Sequence, residues 1–257
     1  MHPARRDCGG HRSRHRTPAY NGPVNSSIRA VTLDLDDTLW PFAPIGARIE
    51  QVLHEWMLAH SPATAAMFPV EAMHELRERT YREHPHLAHD LGALRRLTLE
   101  TALRDSAADP SLLDAAWEAF HAERNRVEFY PDALDALERI AARVPVVALS
   151  NGNADLVRCG IERHFAFQVH VHEHGAGKPE ASFFLAACER LRCEPAQVLH
   201  VGDHVDADVR GAALAGLRSC WINRVQAQWP HDDVAPDLHF DSLAGLADWL
   251  EQAVEQG

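Results

Sequence analysis

Asp34 and Asp36 sit at the end of an apolar run, in Val31-Thr32-Leu33-Asp34-Leu35-Asp36-Asp37-Thr38-Leu39. A spacing of two at a strand end can put both carboxylates on one side. Two anions that close repel unless a cation lies between them. Hard cations such as Mg²⁺ take oxygen ligands, usually one or two carboxylates together with substrate phosphate and water. A carboxylate beside such an ion can attack phosphorus and form an aspartyl phosphate, while a second can protonate the leaving oxygen and then activate water. Alone, an Asp-x-Asp pair reads as an acidic turn closing a strand.

Three further groups, in order along the chain, tip the balance toward catalysis. Ser150 follows a second apolar run directly, with Asn151 and Gly152 behind it. A hydroxyl and tight-turn amides there can hold phosphate oxygens, although the same residues also make ordinary turns. Lys178 stands in Gly177-Lys178-Pro179, before an expected helix, where its charge can offset Asp34 and phosphate together. Gly202-Asp203 closes a third run, and Asp208 follows five residues later. Asp203 can complete a metal site with Asp34. Asp206 reads as a helix N-cap and Asp208 as a first-turn residue.

These groups need a scaffold that brings distant strand ends together. The runs at Ile28–Leu33, Val144–Leu149 and Val198–Val201 suit strands buried on both faces of a parallel sheet, with shorter ones near Ser219–Ile222 and Leu238–Phe240. In open α/β sheets the ligand lies at the carboxyl ends of the strands. Helical spacing predicts helices opening at Pro131, with Leu134, Leu137 and Ile140 inward, and at Pro179, then over Asp206–Ala215 and from Ser242 to about Glu255. Residues 43–128 contain no strand-like run. Ile49, Leu53 and Trp56, then Met73, Leu76 and Tyr81, then Leu91, Leu94 and Thr98, then Leu113, Trp117 and Phe120 predict about four helices there. The expectation is an α/β protein: a Rossmann-like parallel-sheet core formed by residues 28–42 and 129–257, with a helical cap at 43–128. The alternative for 43–128 is a set of crossover helices packed on the sheet. Residues 1–27 carry Arg, His, Pro and Gly with almost no apolar periodicity and read as a disordered tail.

The ordered set Asp34-x-Asp36-x-Thr38, Ser150, Lys178 and Gly202-Asp203 with Asp208 resembles the four motifs of the haloacid dehalogenase superfamily. That resemblance implies Asp34 as nucleophile, Asp36 as acid/base, and Mg²⁺ held by Asp34, the Asp36 carbonyl and Asp203. It places Thr38, Ser150, Asn151 and Lys178 on the phosphoryl or substrate side, and Asp208 behind them, contacting metal-bound water or Lys178. The stretches Ser150–Ala154, His174–Pro179 and Val198–His204, with Phe183–Ala187 and Cys220–Asn223, are similar to the bacterial flavin-pathway phosphatases. That branch acts on 5-amino-6-(5-phospho-D-ribitylamino)uracil and on flavin mononucleotide, in riboflavin biosynthesis. Members often have Tyr where this chain has Trp40. Other readings stay open: a phosphatase for phosphoglycolate or a sugar phosphate, a phosphomutase, a haloacid dehalogenase, or a non-catalytic binding module. Dehalogenases of this superfamily do without an acid/base Asp two residues after the nucleophile, so Asp36 argues against that chemistry.

Composition agrees with an enzyme of small molecules. The chain has 257 residues and a formal net charge of −12, with residues 1–27 at +4 and the remainder at −16. Such a body is a poor partner for a nucleic-acid backbone and needs local cations to admit an anionic metabolite. No apolar run approaches the roughly 20 residues that span a bilayer. Five scattered cysteines without a Cys-x-x-Cys pair read as reduced thiols in the cytoplasm. Of the 18 histidines, His174 is the candidate substrate contact. His170, His172 and His174 alternate in a way that a metal triplet on a strand would.

Overall fold

The structure is a computed structural model and describes residues 28–254. The expectation for the 1–27 tail therefore lies outside the described residues. In chain order the elements begin with β1 (Ala30–Leu33), followed by five helices: α1 (Phe42–His60), α2 (Pro62–Met67), α3 (Val70–Glu83), α4 (Leu91–Asp105) and α5 (Leu113–Arg124). Then come α6 (Ala133–Ala141), β2 (Val146–Leu149), β3 (Phe167–Val169), α7 (Val171–His174), α8 (Ala181–Leu191) and β4 (Val198–Gly202). The chain continues through a π-helical turn over Val205–Arg210 into α9 (Gly211–Leu214), β5 (Arg218–Ile222), β6 (Leu238–Phe240) and α10 (Leu243–Val254).

The six strands form one parallel sheet in the order β3-β2-β1-β4-β5-β6. Strands β1, β2 and β4 are buried along their whole length because helices cover both faces of the sheet. Val31, Leu33, Val146, Ala148, Leu199 and Val201 belong to one apolar cluster, and Ala30, Val147, Leu149 and Val198 to the other. Alternation along each strand thus fills two cores, and β1 lies at the centre of the sheet. The chain runs outward from β1 to β2 and β3, then returns to β4 on the other side of β1. That reversal opens a crevice at the carboxyl ends of β1 and β4, where Asp34 and Asp203 follow their strands.

Several sequence expectations shift in detail. Strand β3 went unpredicted. Five helices rather than four fill the segment after β1, and they pack mainly on one another. Their inward residues include Ile45, Ile49, Leu53 and Met57 of α1, Met73 and Leu76 of α3, Leu94 and Leu99 of α4, and Phe120 of α5. Pro131 and Pro179 each lie two residues before the first helical residue, and Leu134 faces solvent because α6 turns Ala133, Ala136, Leu137 and Ile140 inward. The cap of the turn after β4 is His204, not Asp206: His204 Nδ1 accepts from the N–H groups of Asp206 and Ala207 at 3.2 and 3.1 Å. Residues 171–174 are helical, so His170, His172 and His174 do not alternate along a strand. Among the described residues no helix is long and apolar enough to cross a membrane.

Candidate active site

Four strand-end segments meet over the crevice. Leu33 ends β1, and Asp34 follows with its N–H donating to Val201 O of β4 at 2.9 Å. This bond ties the first aspartate to the strand that carries Asp203. Ser150 follows β2, Lys178 comes from the loop before α8, and Asp208 lies in the π-helical turn after β4. In that turn both Asp208 N–H and Val209 N–H reach back to His204 O, at 2.9 and 3.3 Å. Gly202 makes room for it, since a Cβ there would collide with the Asp208 side chain.

Lys178 is the hub. Its Nζ lies 2.7 Å from Asp34 Oδ1 and 2.6 Å from Asp208 Oδ1, and all three side chains are buried. Burial disfavours the ammonium charge, but Asp208 and Asp34 outweigh it and hold Lys178 above its ordinary range. Burial likewise opposes the Asp208 charge, and Lys178 and His200 overcome that, leaving Asp208 well below the usual carboxylate range. Asp208 spends its remaining capacity on His200 Nε2 at 3.1 Å and on the N–H of His204 at 2.8 Å. His200 in turn meets Thr32 Oγ1 through Nδ1 at 2.9 Å, and burial pushes its pKa down. Asn151 holds the lysine loop from the other side: Oδ1 accepts from Lys178 N–H at 2.7 Å, and Nδ2 donates to Lys178 O at 2.8 Å.

Carboxylate oxygens of Asp34, Asp203 and Asp208 lie within 4.8 Å of one another. Asp34 is pushed up to about 7, chiefly by burial, with Lys178 opposing the rise. Asp203 is pushed up to about 8 by burial and by the charges of Asp208 and Asp34. A cluster of hard oxygen donors whose charges crowd in this way suits a divalent cation such as Mg²⁺. Asp208 is already occupied by Lys178, His200 and the His204 amide, whereas among the described residues Asp203 accepts only from Thr38 Oγ1, at 3.5 Å. Asp34 and Asp203 therefore keep the acceptor capacity an ion needs.

Asp36 turns away from that cluster. Its Oδ1 accepts from Trp40 Nε1 at 2.8 Å, and its Oδ2 from Arg124 Nη2 at 2.7 Å. Arg124 is buried at the end of α5, where Nε donates to Asn153 Oδ1 at 3.0 Å. Ser150 is buried beside them and its Oγ accepts from Gly152 N–H at 3.2 Å.

Asp34, Asp36, Ser150, Asn151, Lys178, Asp203 and Asp208 all line one cavity of about 680 Å³. Its opposite wall comes from the helices after β1, including Phe42, Glu50, Arg77, Tyr81, Arg95 and Phe120. Another cavity, of about 730 Å³, lies across the 151–153 loop and, among the described residues, holds no such carboxylate cluster. Thr38 and His174 do not line the cavity that holds the aspartates. Thr38 is fully buried behind Asp203, and His174 packs on Phe183 and pairs with Ser182 at 3.1 Å. Sequence reading missed Arg124 and His200, whose roles come from tertiary placement. The only local signal was a polar residue within an apolar strand at His200.

Residues 28–216 match the family model for haloacid dehalogenase-like hydrolases. The chain is 31% identical over 226 residues to the 5-amino-6-(5-phospho-D-ribitylamino)uracil phosphatase YigB of Escherichia coli, covering 85% of this chain and 94% of that one. It is also 31% identical to a glyceraldehyde 3-phosphate phosphatase of Methanopyrus kandleri, covering 88% and 98%. Among solved structures, a 2-haloacid dehalogenase from Pseudomonas syringae superposes with a TM-score of 0.81 at 36% identity, covering 88% of this chain and 99% of that one.

Proposed function

The chain belongs to the haloacid dehalogenase-like hydrolases, and from that premise we propose that it is a Mg²⁺-dependent phosphatase of small metabolites working through a phospho-aspartate on Asp34. The observation that carries this reading is the buried Asp34–Lys178–Asp208 cluster with Asp203 at cation-sharing distance, in one cavity with Asp36. Asp34, Asp203 and the Asp36 carbonyl would hold the ion, which would offset the charge of phosphate and carboxylates. Lys178 neutralises part of the same charge, and Asp208, His200 and Asn151 keep its ammonium in place. Ser150 offers its hydroxyl to a phosphoryl oxygen. An Asp34 oxygen bonds to phosphorus as the ester P–O bond breaks, and Asp36, entering this step protonated, delivers that proton to the leaving oxygen. Water then attacks the phospho-aspartate, returning a proton to Asp36 and releasing phosphate. Trp40 and Arg124 aim the Asp36 carboxylate for both transfers. Helices α1–α5, over residues 42–124, act as the cap that shields the leaving group from solvent.

For substrate we favour 5-amino-6-(5-phospho-D-ribitylamino)uracil, then flavin mononucleotide, which would place the enzyme in cytoplasmic riboflavin biosynthesis. The likeness to YigB over most of both chains supports this. Phosphate release should be compared for these two esters, phosphoglycolate, glyceraldehyde 3-phosphate, sugar phosphates and nucleoside monophosphates, with and without EDTA. Full turnover in excess EDTA would end the metal reading. An unrelated ester preferred by about tenfold in kcat/KM, roughly 1.4 kcal/mol in the transition state, would end the flavin reading. The 36% identity to a 2-haloacid dehalogenase motivates a second assay, halide release from 2-chloropropionate. The ion pair of Asp36 with Arg124 leads us to expect none.

A further inference from the structure

The cavity wall opposite the nucleophile carries polar groups that the phosphate chemistry does not use. Glu50 of α1 receives two guanidinium groups on one oxygen: Arg77 Nη1, and Arg95 Nη2 at 2.8 Å, both on Oε1. The other carboxylate oxygen, Glu50 Oε2, and the other guanidinium nitrogen, Arg95 Nη1, are buried and have no hydrogen-bond partner among the described residues. Arg95 is nine-tenths buried, with its guanidinium 5.3 Å from the Phe120 ring centroid. Tyr81 of α3 lies on the same wall, and its hydroxyl has no hydrogen-bond partner among the described residues. Burial raises its pKa, so it stays a neutral O–H, with Arg95, Arg77, Glu78 and Glu50 as the charges around it.

An orphaned buried donor and an orphaned buried acceptor are each costly unless something satisfies them. A second anionic group on the substrate would satisfy Arg95 but would face Glu50 Oε2 and Glu78. A neutral group with a carbonyl beside an N–H satisfies both, as in the imide edge of a pyrimidine, and Phe42 and Phe120 on the same wall suit its ring face. We infer that Glu50, Arg95 and Tyr81 form a subsite that reads a neutral donor–acceptor edge on the leaving group, such as a cyclic imide or urea. This rests on the phosphatase reading for the position of the phosphate and adds how the far end of the ester is chosen.

The test compares kcat/KM for 5-amino-6-(5-phospho-D-ribitylamino)uracil with that for ribitol 5-phosphate, which lacks the ring, and for phosphoserine, which carries an anion. Wild type, Arg95→Met and the isosteric Tyr81→Phe are measured, with calorimetric binding of the phosphate-free 5-amino-6-(D-ribitylamino)uracil alongside. Arg95→Met should lower the ratio of ring ester to ribitol 5-phosphate by about tenfold or more, and Tyr81→Phe should lower it severalfold, with product binding weakened in parallel. Because Arg95→Met removes a buried charge and can loosen the helices, the Tyr81 variant supplies a second reading in an intact fold. A ratio within about twofold of wild type in both variants overturns the inference. So does a loss falling hardest on phosphoserine, which would mark an anion site instead. Product binding that depends on Arg95 in a protein hydrolysing no ester would sink the phosphatase reading and keep this one. Hydrolysis of both esters at an unaltered ratio would do the reverse.

Discussion

Asp34 and Asp36 are two residues apart and bear opposite environments. Asp34 is buried against Lys178, and Asp36, lining the same cavity, is held by Trp40 and Arg124. Replacing Asp34 with Asn removes the oxygen proposed as nucleophile while leaving the volume unchanged. Asp34→Asn should abolish turnover with an unaltered circular dichroism spectrum, and phosphoryl trapping on the Asp34 peptide should succeed only in wild type. Asp36→Asn keeps the proposed nucleophile and loses the proposed proton carrier, so the rate should fall by about 10²–10⁴. Wild-type turnover in either variant would show that the role was assigned to the wrong residue. Gly152 sets how closely these groups approach: a Cβ there would lie 2.5 Å from Asp36 Oδ2 and 2.9 Å from Arg124 Nη2. Gly152→Ala must displace that ion pair, and misplacing a catalytic group by an ångström can cost about 10²-fold. A kcat within twofold of wild type for Gly152→Ala would show that the Asp36–Arg124 geometry is not needed. Asp34 and Asp203 were legible in sequence because each follows an apolar run that suits a buried strand, and Lys178 because it stands just before a helix. Arg124 was not, because it lies 88 residues from the aspartate it pairs with and its own helix gives no reason for it to be buried.

At the scale of elements, short strands are where sequence reading ran out. The runs of β1, β2 and β4 are continuous and fully buried, which makes them visible. Strand β3 has three residues, with Phe167 and Gln168 only partly covered, and exists through its pairing with β2. The five helices after β1 gave a clear periodicity, but periodicity fixes which residues face inward and not which of the others face the cavity. Glu50, Arg95 and Tyr81 were therefore invisible as a group. The joint between the sheet and its last helix rests on Asp132, just before α6. It accepts from Arg224 Nη1 at 2.8 Å and from the N–H groups of Leu243 and Ala244 at the start of α10, while Arg224 also donates to Thr38 O. Burial alone would raise the Asp132 pKa, but the Arg224 bond and the two amides outweigh it and the net shift is downward. Its stabilising contribution is thus complete above the ordinary carboxylate value of 3.8 and is lost as pH falls through the lowered folded value. Asp132→Asn should cost about 1–3 kcal/mol in urea unfolding at pH 7. The difference between variant and wild type should shrink below pH 3.8. A gap that stays constant with pH would mean that packing, and not the charged clamp, holds α10.

Over the whole molecule the charge balance argues for a cation as part of the working enzyme. The formal net charge is −12, yet the expected substrate is a phosphate ester, and the crevice concentrates Asp34, Asp203 and Asp208 against the single ammonium of Lys178. Surface charge of this sign repels an anionic ligand over roughly a Debye length, so attraction must come from inside the cavity. Burial and mutual repulsion hold Asp34 and Asp203 above the ordinary carboxylate range, which is a cost carried by the folded state alone. A divalent ion that binds only the folded chain should relieve that cost and stabilise the protein by mass action, independent of any substrate. At a free Mg²⁺ concentration 100 times its Kd the gain is about 2.7 kcal/mol. For a chain of this size that corresponds to a rise in Tm of roughly 5–10 °C. Calorimetric scans with and without Mg²⁺, in buffers matched for ionic strength, measure it directly. Asp203→Asn removes a carboxylate that has spare acceptor capacity and should erase most of the shift, whereas Asp206→Asn, on the exposed side of the same turn, should leave it intact. No Mg²⁺-dependent rise in wild type, or an equal rise in Asp203→Asn, would mean that the carboxylate cluster is not a metal site and that Lys178 alone balances its charge.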